Sequence, residues 1–498
     1  MPVLIGVTMV VSIVSSLGAP LLPSVAESLG VSLDSAQWSL TAALLAGAVA
    51  APIMGRLGDG RHRRETIVGG LAIVVLGSVL AGVADSLPLL VAGRAMQGVG
   101  LGLAPLTMAA ARDHLPTERA ASVIGILSVA GAAGVGAGYP LSGLIAEAVD
   151  VHAAFLFGGI MSGLALIAAA LVVPSSRDSE GVPLDVGGAV GIASGLVALL
   201  LAIGQGAAWG WTSATVVGLF AAAALVLGLW ARSQLHRTAP LVDLRQLRHR
   251  PVLIANLAAI ILGIAMYMFL TLVTEFVQAP ESAGYGFGAS TLVAGLCLVP
   301  FSVTSLATSR TVGALTRRFG PSAILVGGTF TIAAAGAFFA LEHGALWEAF
   351  VTMGVVGVGF GYTFAAIPGL IARSVPGSET GSAMGLYQVI RSVGFSIGSA
   401  LAASILAAHT VDGAALPSVG GYTTALWIGA GVCATSAVVS WILGRGAAVA
   451  PSDPLGDAER DALVREEAEL ASAGLVGVDT EHVGTSDARS ERDGTSAC

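Results

Sequence analysis

Charged and amide side chains are rare in the apolar parts of this chain, and two pairs of them have helical spacing. Arg94 and Gln97, in Leu90-Val91-Ala92-Gly93-Arg94-Ala95-Met96-Gln97-Gly98-Val99-Gly100, are three residues apart and share a helix face. Gln388 and Arg391, in Gly385-Leu386-Tyr387-Gln388-Val389-Ile390-Arg391-Ser392-Val393-Gly394, repeat the pair in reverse order. A guanidinium within hydrocarbon costs several kcal/mol unless it snorkels, pairs or faces water, so use in a polar cavity is the default expectation for Arg94. Gln97 could equally be interhelical glue, and Arg391 could either line the cavity or snorkel. Such groups bind ligands and coordinate protons. No Ser/His/Asp arrangement, His-rich metal site or nucleotide-binding glycine motif accompanies them, so neither catalysis nor a cofactor is expected.

A third cluster lies in a short turn, Gly55-Arg56-Leu57-Gly58-Asp59-Gly60-Arg61-His62-Arg63-Arg64. Its glycines permit a tight connection, and Asp59 is an acceptor amid four arginines, able to make or break charged hydrogen bonds as two helix bundles approach. A weaker copy, Gly313-Ala314-Leu315-Thr316-Arg317-Arg318-Phe319-Gly320, lacks the aspartate but keeps Arg317 and points to two related halves. For a group that titrates on both sides of a membrane, Glu275 is the best-placed carboxylate, and Asp34, just outside a span, and Glu147 are weaker options.

Fourteen apolar stretches must position these residues: 3–23, 38–57, 66–84, 88–110, 121–146, 152–173, 185–204, 213–231, 251–275, 289–309, 322–341, 346–371, 382–408 and 423–444. At about 1.5 Å per residue each crosses roughly 30 Å of hydrocarbon. With 55% hydrophobic and 11% charged residues and a mean hydropathy of +0.85, a soluble helical core is excluded. Arginines between spans fall only on alternate connections, which places both termini in the cytoplasm. Trp38, Trp209, Trp211, Trp347 and Trp427 sit near expected outer ends, and Trp230 and Trp441 near inner ones, as an interfacial belt. The first stretch has no basic flank and reads as a membrane helix rather than a cleaved signal peptide. Cys297, Cys433 and Cys498 have no metal or disulfide spacing. The last 52 residues hold 12 acids and 4 arginines, which accounts for the whole net charge of −8. Residues 457–473 could form a short helix, and 474–498 read as disordered. The arginines are spread over membrane-flanking turns, so no nucleic-acid face is expected.

Within span 5, Gly131, Gly134, Gly136, Gly138 and Gly143 allow close packing, and Pro140 should bend the helix. Tyr267, Tyr387, Met266 and Met268 offer adaptable or aromatic surface, with ordinary core packing the favoured reading.

On these motifs the chain resembles the major facilitator superfamily, in particular its fourteen-helix drug:proton antiporter branch. Gly55, Leu57, Asp59, Arg63 and Arg64 match the inner-loop signature, with Gly60 and His62 departing from it. Arg94, Gln97, Gly98 and Gly100 match the fourth-helix signature, whose arginine the family associates with proton transfer. Pro140 and Gly143 are what remains of the antiporter signature, and Val14-Ser15-Ser16-Leu17-Gly18-Ala19-Pro20 lacks the acidic residue often found in the first helix. The resemblance implies an all-α membrane protein of two six-helix bundles, 1–173 and 251–446, joined by two extra helices and a linker, 174–250, with a cytoplasmic tail, 447–498. It also implies a monomeric exporter of a small hydrophobic or amphiphilic substrate, in exchange for protons, in a lipid bilayer. An uptake carrier would share the architecture, whereas no filter-like repeat suggests a channel.

Overall fold

In a computed structural model of the chain the described residues are 2–18, 21–59, 62–113, 117–173, 185–237, 240–376, 379–410 and 416–444. Gly60, Arg61, the Asp34 side chain, Cys498 and the tail with its expected helix over 457–473 lie outside them. The described residues contain helices and turns but no strand. Thirteen helices among them are long and apolar enough to cross a membrane. With the shorter first helix they are α1 (Pro2–Ser16), α2 (Leu33–Gly58), α3 (Arg63–Gly82), α4 (Leu87–Asp113), α5 (Thr117–Ala148), α6 (Val151–Val172) and α7 (Val186–Trp209). The series continues with α8 (Ala214–His236), α9 (Arg250–Gln278), α10 (Thr291–Phe319), α11 (Pro321–Leu341), α12 (Leu346–Ser374), α13 (Thr380–Ala408) and α14 (Val419–Gly444).

Three helices depart from the expected spans. The stretch 3–23 is not one helix: α1 stops at Ser16, and a separate helix runs Leu22–Leu29. Pro20 and Pro23 lack the N–H needed to extend the first helix, while Pro23 is harmless in the first turn of the second. Within α4 the backbone tightens into a 3₁₀ turn at Gly100–Gly102, and α10 is interrupted after Leu296 and resumes at Val299. By contrast, α5 runs unbroken through Pro140 for 32 residues. Asp34, expected just outside the second span, falls in the first turn of α2.

The helices pack as two six-helix bundles with an added pair between them in the sequence. In the first bundle α1 packs on α5 and α6, α2 on α4, and α3 on α4 and α6. In the second, α9 packs on α13 and α14, α10 on α12, and α11 on α12 and α14. The bundles meet along two seams, α2 with α13, and α5 with α10 and α12. The pair α7 and α8 packs on itself, and α7 docks against α2 and α13.

The first seam is close enough to require glycine: a Cβ on Gly55 would lie 2.4 Å from the Gly381 carbonyl oxygen, and one on Gly381 would lie 2.3 Å from that of Gly55. Six tryptophans are 37–59% exposed, but Trp230 is 9% exposed and packs with Ile192, Leu196, Leu241 and Val242, so it does not belong to the interfacial belt. Cys297 and Cys433 are buried among apolar side chains.

Candidate functional site

Because α1 ends early, its last carbonyls have no helical partner, and a cation from α4 takes them. Arg94 lies seven residues into α4, about 10 Å along the axis, and is fully buried. Its Nη1 donates to the Val14 carbonyl at 3.3 Å and to Gln97 Oε1 at 2.6 Å, and its Nη2 donates to the Ser15 carbonyl at 3.0 Å. Gln97 Nε2 donates in turn to Ser78 Oγ at 2.9 Å, and Phe155 lies 5.7 Å from the guanidinium carbon. Arg94 thus ties three helices together through carbonyl dipoles, without a carboxylate. Gly98 lets α4 approach: a Cβ there would be 2.1 Å from the Ala43 carbonyl oxygen.

Arg391 lies eleven residues into α13, about 17 Å along the axis, which is too deep for snorkelling to account for it. Its Nη2 donates to Gln388 Oε1 at 2.7 Å. The guanidinium carbon is 5.3 Å from the Phe364 ring, 5.4 Å from that of Tyr387 and 5.5 Å from that of Phe395. Nε and Nη1 are buried and have no acceptor.

Both arginines line one cavity of about 230 Å³ between the bundles. Its wall draws on Ser12, Ser15, Thr41, Leu127 and Tyr139 from the first bundle and Met266, Tyr267, Phe364, Gln388 and Phe395 from the second, with Leu200 and Gly204 from α7. Tyr267 and Met266 are therefore cavity wall rather than ordinary core, whereas Tyr387 and Met268 are fully buried. Tyr267 stacks on Phe395 with ring centroids 5.4 Å apart. Among the described residues lining the cavity none is acidic.

At the arginine-rich end the halves are bridged. Asp59, 5% exposed, accepts from Gly381 N–H at 2.6 Å and from Ser382 N–H at 2.8 Å. These are orphan donors in the first turn of α13, so the carboxylate of one bundle caps a helix of the other. Burial pushes the Asp59 carboxyl up to about 7, against the two N–H groups and the charges of Arg56 and Arg63, which favour ionisation. Arg112 adds a second crossing by donating to the Ala372 carbonyl. Beside the latch, Ser382 Oγ donates to the Leu241 carbonyl at 3.1 Å, and Leu241 N–H donates to Gln234 Oε1 at 2.7 Å. Gln234 Nε2 donates to Asp185 at 2.8 Å, which joins the α7–α8 pair to the latch residues.

The other residues singled out in the sequence lie elsewhere. Arg63 pairs with Asp113 and donates to the Gly58 carbonyl, and Arg64 donates to the Ala170 carbonyl at 2.6 Å, all within the first bundle rather than toward Asp59. Arg317 is exposed and has no hydrogen bond or ion pair among the described residues, so the second copy of the turn does not repeat the bridge. Pro140 packs against α10, where a Cβ on Gly295 would meet its nitrogen at 2.9 Å. Gly143 has room for a methyl group, at ordinary contact distance from Leu292. Glu275 and Glu147 are exposed and do not line the cavity, although the Glu275 charge is within electrostatic reach of Tyr139, which does. The α13 amides, Phe364, Phe395 and Asp113 were not singled out in the sequence, because apolar stretches do not reveal which residues of distant helices meet.

Two bundles enclosing a cavity, latched across one end, have counterparts among known proteins. The Major Facilitator Superfamily profile matches residues 4–399 and 279–478. The chain belongs to this superfamily. As a major facilitator protein it is a multi-pass membrane protein and a secondary transporter of small molecules, not an enzyme. It is 28% identical over 414 residues to the tetracenomycin C resistance and export protein of Streptomyces glaucescens, covering 81% of this chain and 75% of that one. It is 27% identical over 390 residues to the multidrug resistance protein Stp of Mycobacterium tuberculosis H37Rv, covering 78% of this chain and 72% of that one. The crystal structure of the human organic anion transporter MFSD10 (TETRAN) has the same fold, with a TM-score of 0.64 at 13% identity over 88% of this chain and 98% of that one.

Proposed function

We propose that this major facilitator protein belongs to the fourteen-helix drug:proton antiporter branch and exports hydrophobic or amphiphilic drugs or natural products. In this reading it works as a monomer in the inner or plasma membrane, with both termini cytoplasmic and residues 1–173 and 251–446 as the two moving bodies. The observation that carries the reading is a cavity walled by both bundles and closed over by a carboxylate latch at its arginine-rich end. The arginine bias makes that end cytoplasmic, so in this reading the arrangement is one closed to the cytoplasm within an alternating-access cycle. Substrate is captured from the cytoplasm or the membrane when the Asp59 latch is open, the latch closes behind it, and release occurs on the far side. Protons drive the cycle if they and the substrate bias the two arrangements differently. The printed names of the relatives, one for tetracenomycin C export and one for multidrug resistance, support export.

One observation favours a second reading, a facilitative or proton-coupled uptake carrier: no acidic side chain is among the described residues lining the cavity. Purified protein in liposomes under an imposed proton gradient separates the two. Substrate-dependent proton movement opposite to substrate supports antiport. Substrate movement without proton movement, or in the same direction as protons, supports the second reading.

A further inference from the structure

The charge of the cavity wall narrows the class of compound it can hold. Two guanidinium groups line it and no described acidic residue does. Arg94 is compensated by the carbonyl end of α1 and by Gln97. Arg391 is not: its one acceptor is Gln388, and two of its three nitrogens have none. Buried donors without acceptors are costly, and a buried cation without a counter-charge is costlier still. The three rings around Arg391 offset part of that cost through their π faces but supply no anion. The nearest acidic candidate on α9, Glu275, is eight residues beyond Tyr267, about 12 Å along the axis and off the cavity wall.

We propose that the cavity takes an anionic aromatic amphiphile, its carboxylate or phenolate drawn to Arg391 and its rings lying against Tyr267, Phe364 and Phe395. The inference rests on the carrier reading above and adds a substrate class to it. A planar anion would supply the missing counter-charge and acceptors, and the aromatic wall would receive a ring system that an aliphatic acid lacks. A lipophilic cation would instead meet an uncompensated like charge in a poorly solvated site.

The test uses three fluorescent probes that share one ring system: an anthracene carboxylate, the matching neutral carboxamide, and the matching anthracenylmethyl ammonium. Binding to the purified full-length protein is followed by fluorescence polarisation, and flux is followed in proteoliposomes. The carboxylate is expected to bind about tenfold or more tighter than the ammonium. Arg391→Gln should shrink its preference over the carboxamide by about tenfold. Arg391→Lys, which keeps the charge but loses the planar stacking group, should fall between the two. Should a variant fail to fold, the comparison of charges on the unmodified protein still decides. Equal or tighter binding of the ammonium, or an undiminished carboxylate preference in folded Arg391→Gln, would overturn the proposal. Carboxamide flux without a carboxylate preference would overturn the anion assignment alone, and no flux of any probe would overturn the carrier reading with it.

Discussion

Asp59 is a carboxylate that gives up water for two backbone N–H groups of another bundle, and the balance between those terms sets its response to pH. In the closed latch its carboxyl titrates near 7, whereas an opened, hydrated one returns to the ordinary range near 4. Between those values the closed form holds more protons, so lowering the pH through that window favours closure, and raising it toward 7 favours opening. Distances between spin labels on the ends of α2 and α13 should therefore shorten as pH falls from about 7 to about 4. Asp59→Asn, which has no proton to gain or lose in this range, should abolish that response and lower turnover about tenfold at unchanged expression. Arg94→Ala would leave the Val14 and Ser15 carbonyls and Gln97 Oε1 without their donor, at a cost of about 1–3 kcal/mol for each acceptor left buried and unpaired. We expect it to abolish coupled flux, and normal proton-driven flux in the purified variant would remove Arg94 from the mechanism. That Arg94 and Arg391 needed a polar setting was readable from their apolar surroundings. Their partners were not, since backbone carbonyls at a helix end and rings on another helix leave no spacing signal. One clue was present: Tyr387, Arg391 and Phe395 recur every four residues and so share a face.

At the level of helices, hydropathy and arginine placement made the fold class legible, because crossing a bilayer demands length and apolarity that little else requires. The breaks were harder to read. Pro20 and Pro23 lie near the end of α1, yet Pro140 leaves α5 unbroken, so a proline marks a boundary only where neighbouring helices do not hold the chain in register. The 3₁₀ turn at Gly100–Gly102 sits among glycines that are equally compatible with plain close packing. Close packing at the α2–α13 seam carries its own prediction. A methyl on Gly55 would meet the Gly381 carbonyl oxygen at 2.4 Å, where only movement of backbone can relieve it. Gly55→Ala should therefore hold the latched ends apart, seen as faster thiol labelling of a cysteine placed at Ser382 and as longer spin-label distances. Unchanged labelling would mean that the seam yields without opening.

Across the whole molecule the two bundles share a cavity and a latch, while the added pair is attached asymmetrically. α7 reaches the α2–α13 seam, but α8 buries a narrow stripe, Val216, Ala223, Trp230 and Gln234, and only 11% of its most apolar window is covered by protein. Its last buried residue, Gln234, holds the Leu241 N–H, and Leu241 in turn accepts from Ser382 beside Asp59. A helix of 23 residues is about 35 Å long, a few ångströms more than an average hydrocarbon core. Such a helix tilts when the bilayer thins, and its Gln234 end is tied to the latch residues. We therefore expect the thickness of the surrounding lipid to act on the latch. In vesicles of shorter acyl chains the rate of latch opening should change while affinity for substrate at the cavity stays the same, and Gln234→Leu should remove the dependence on chain length.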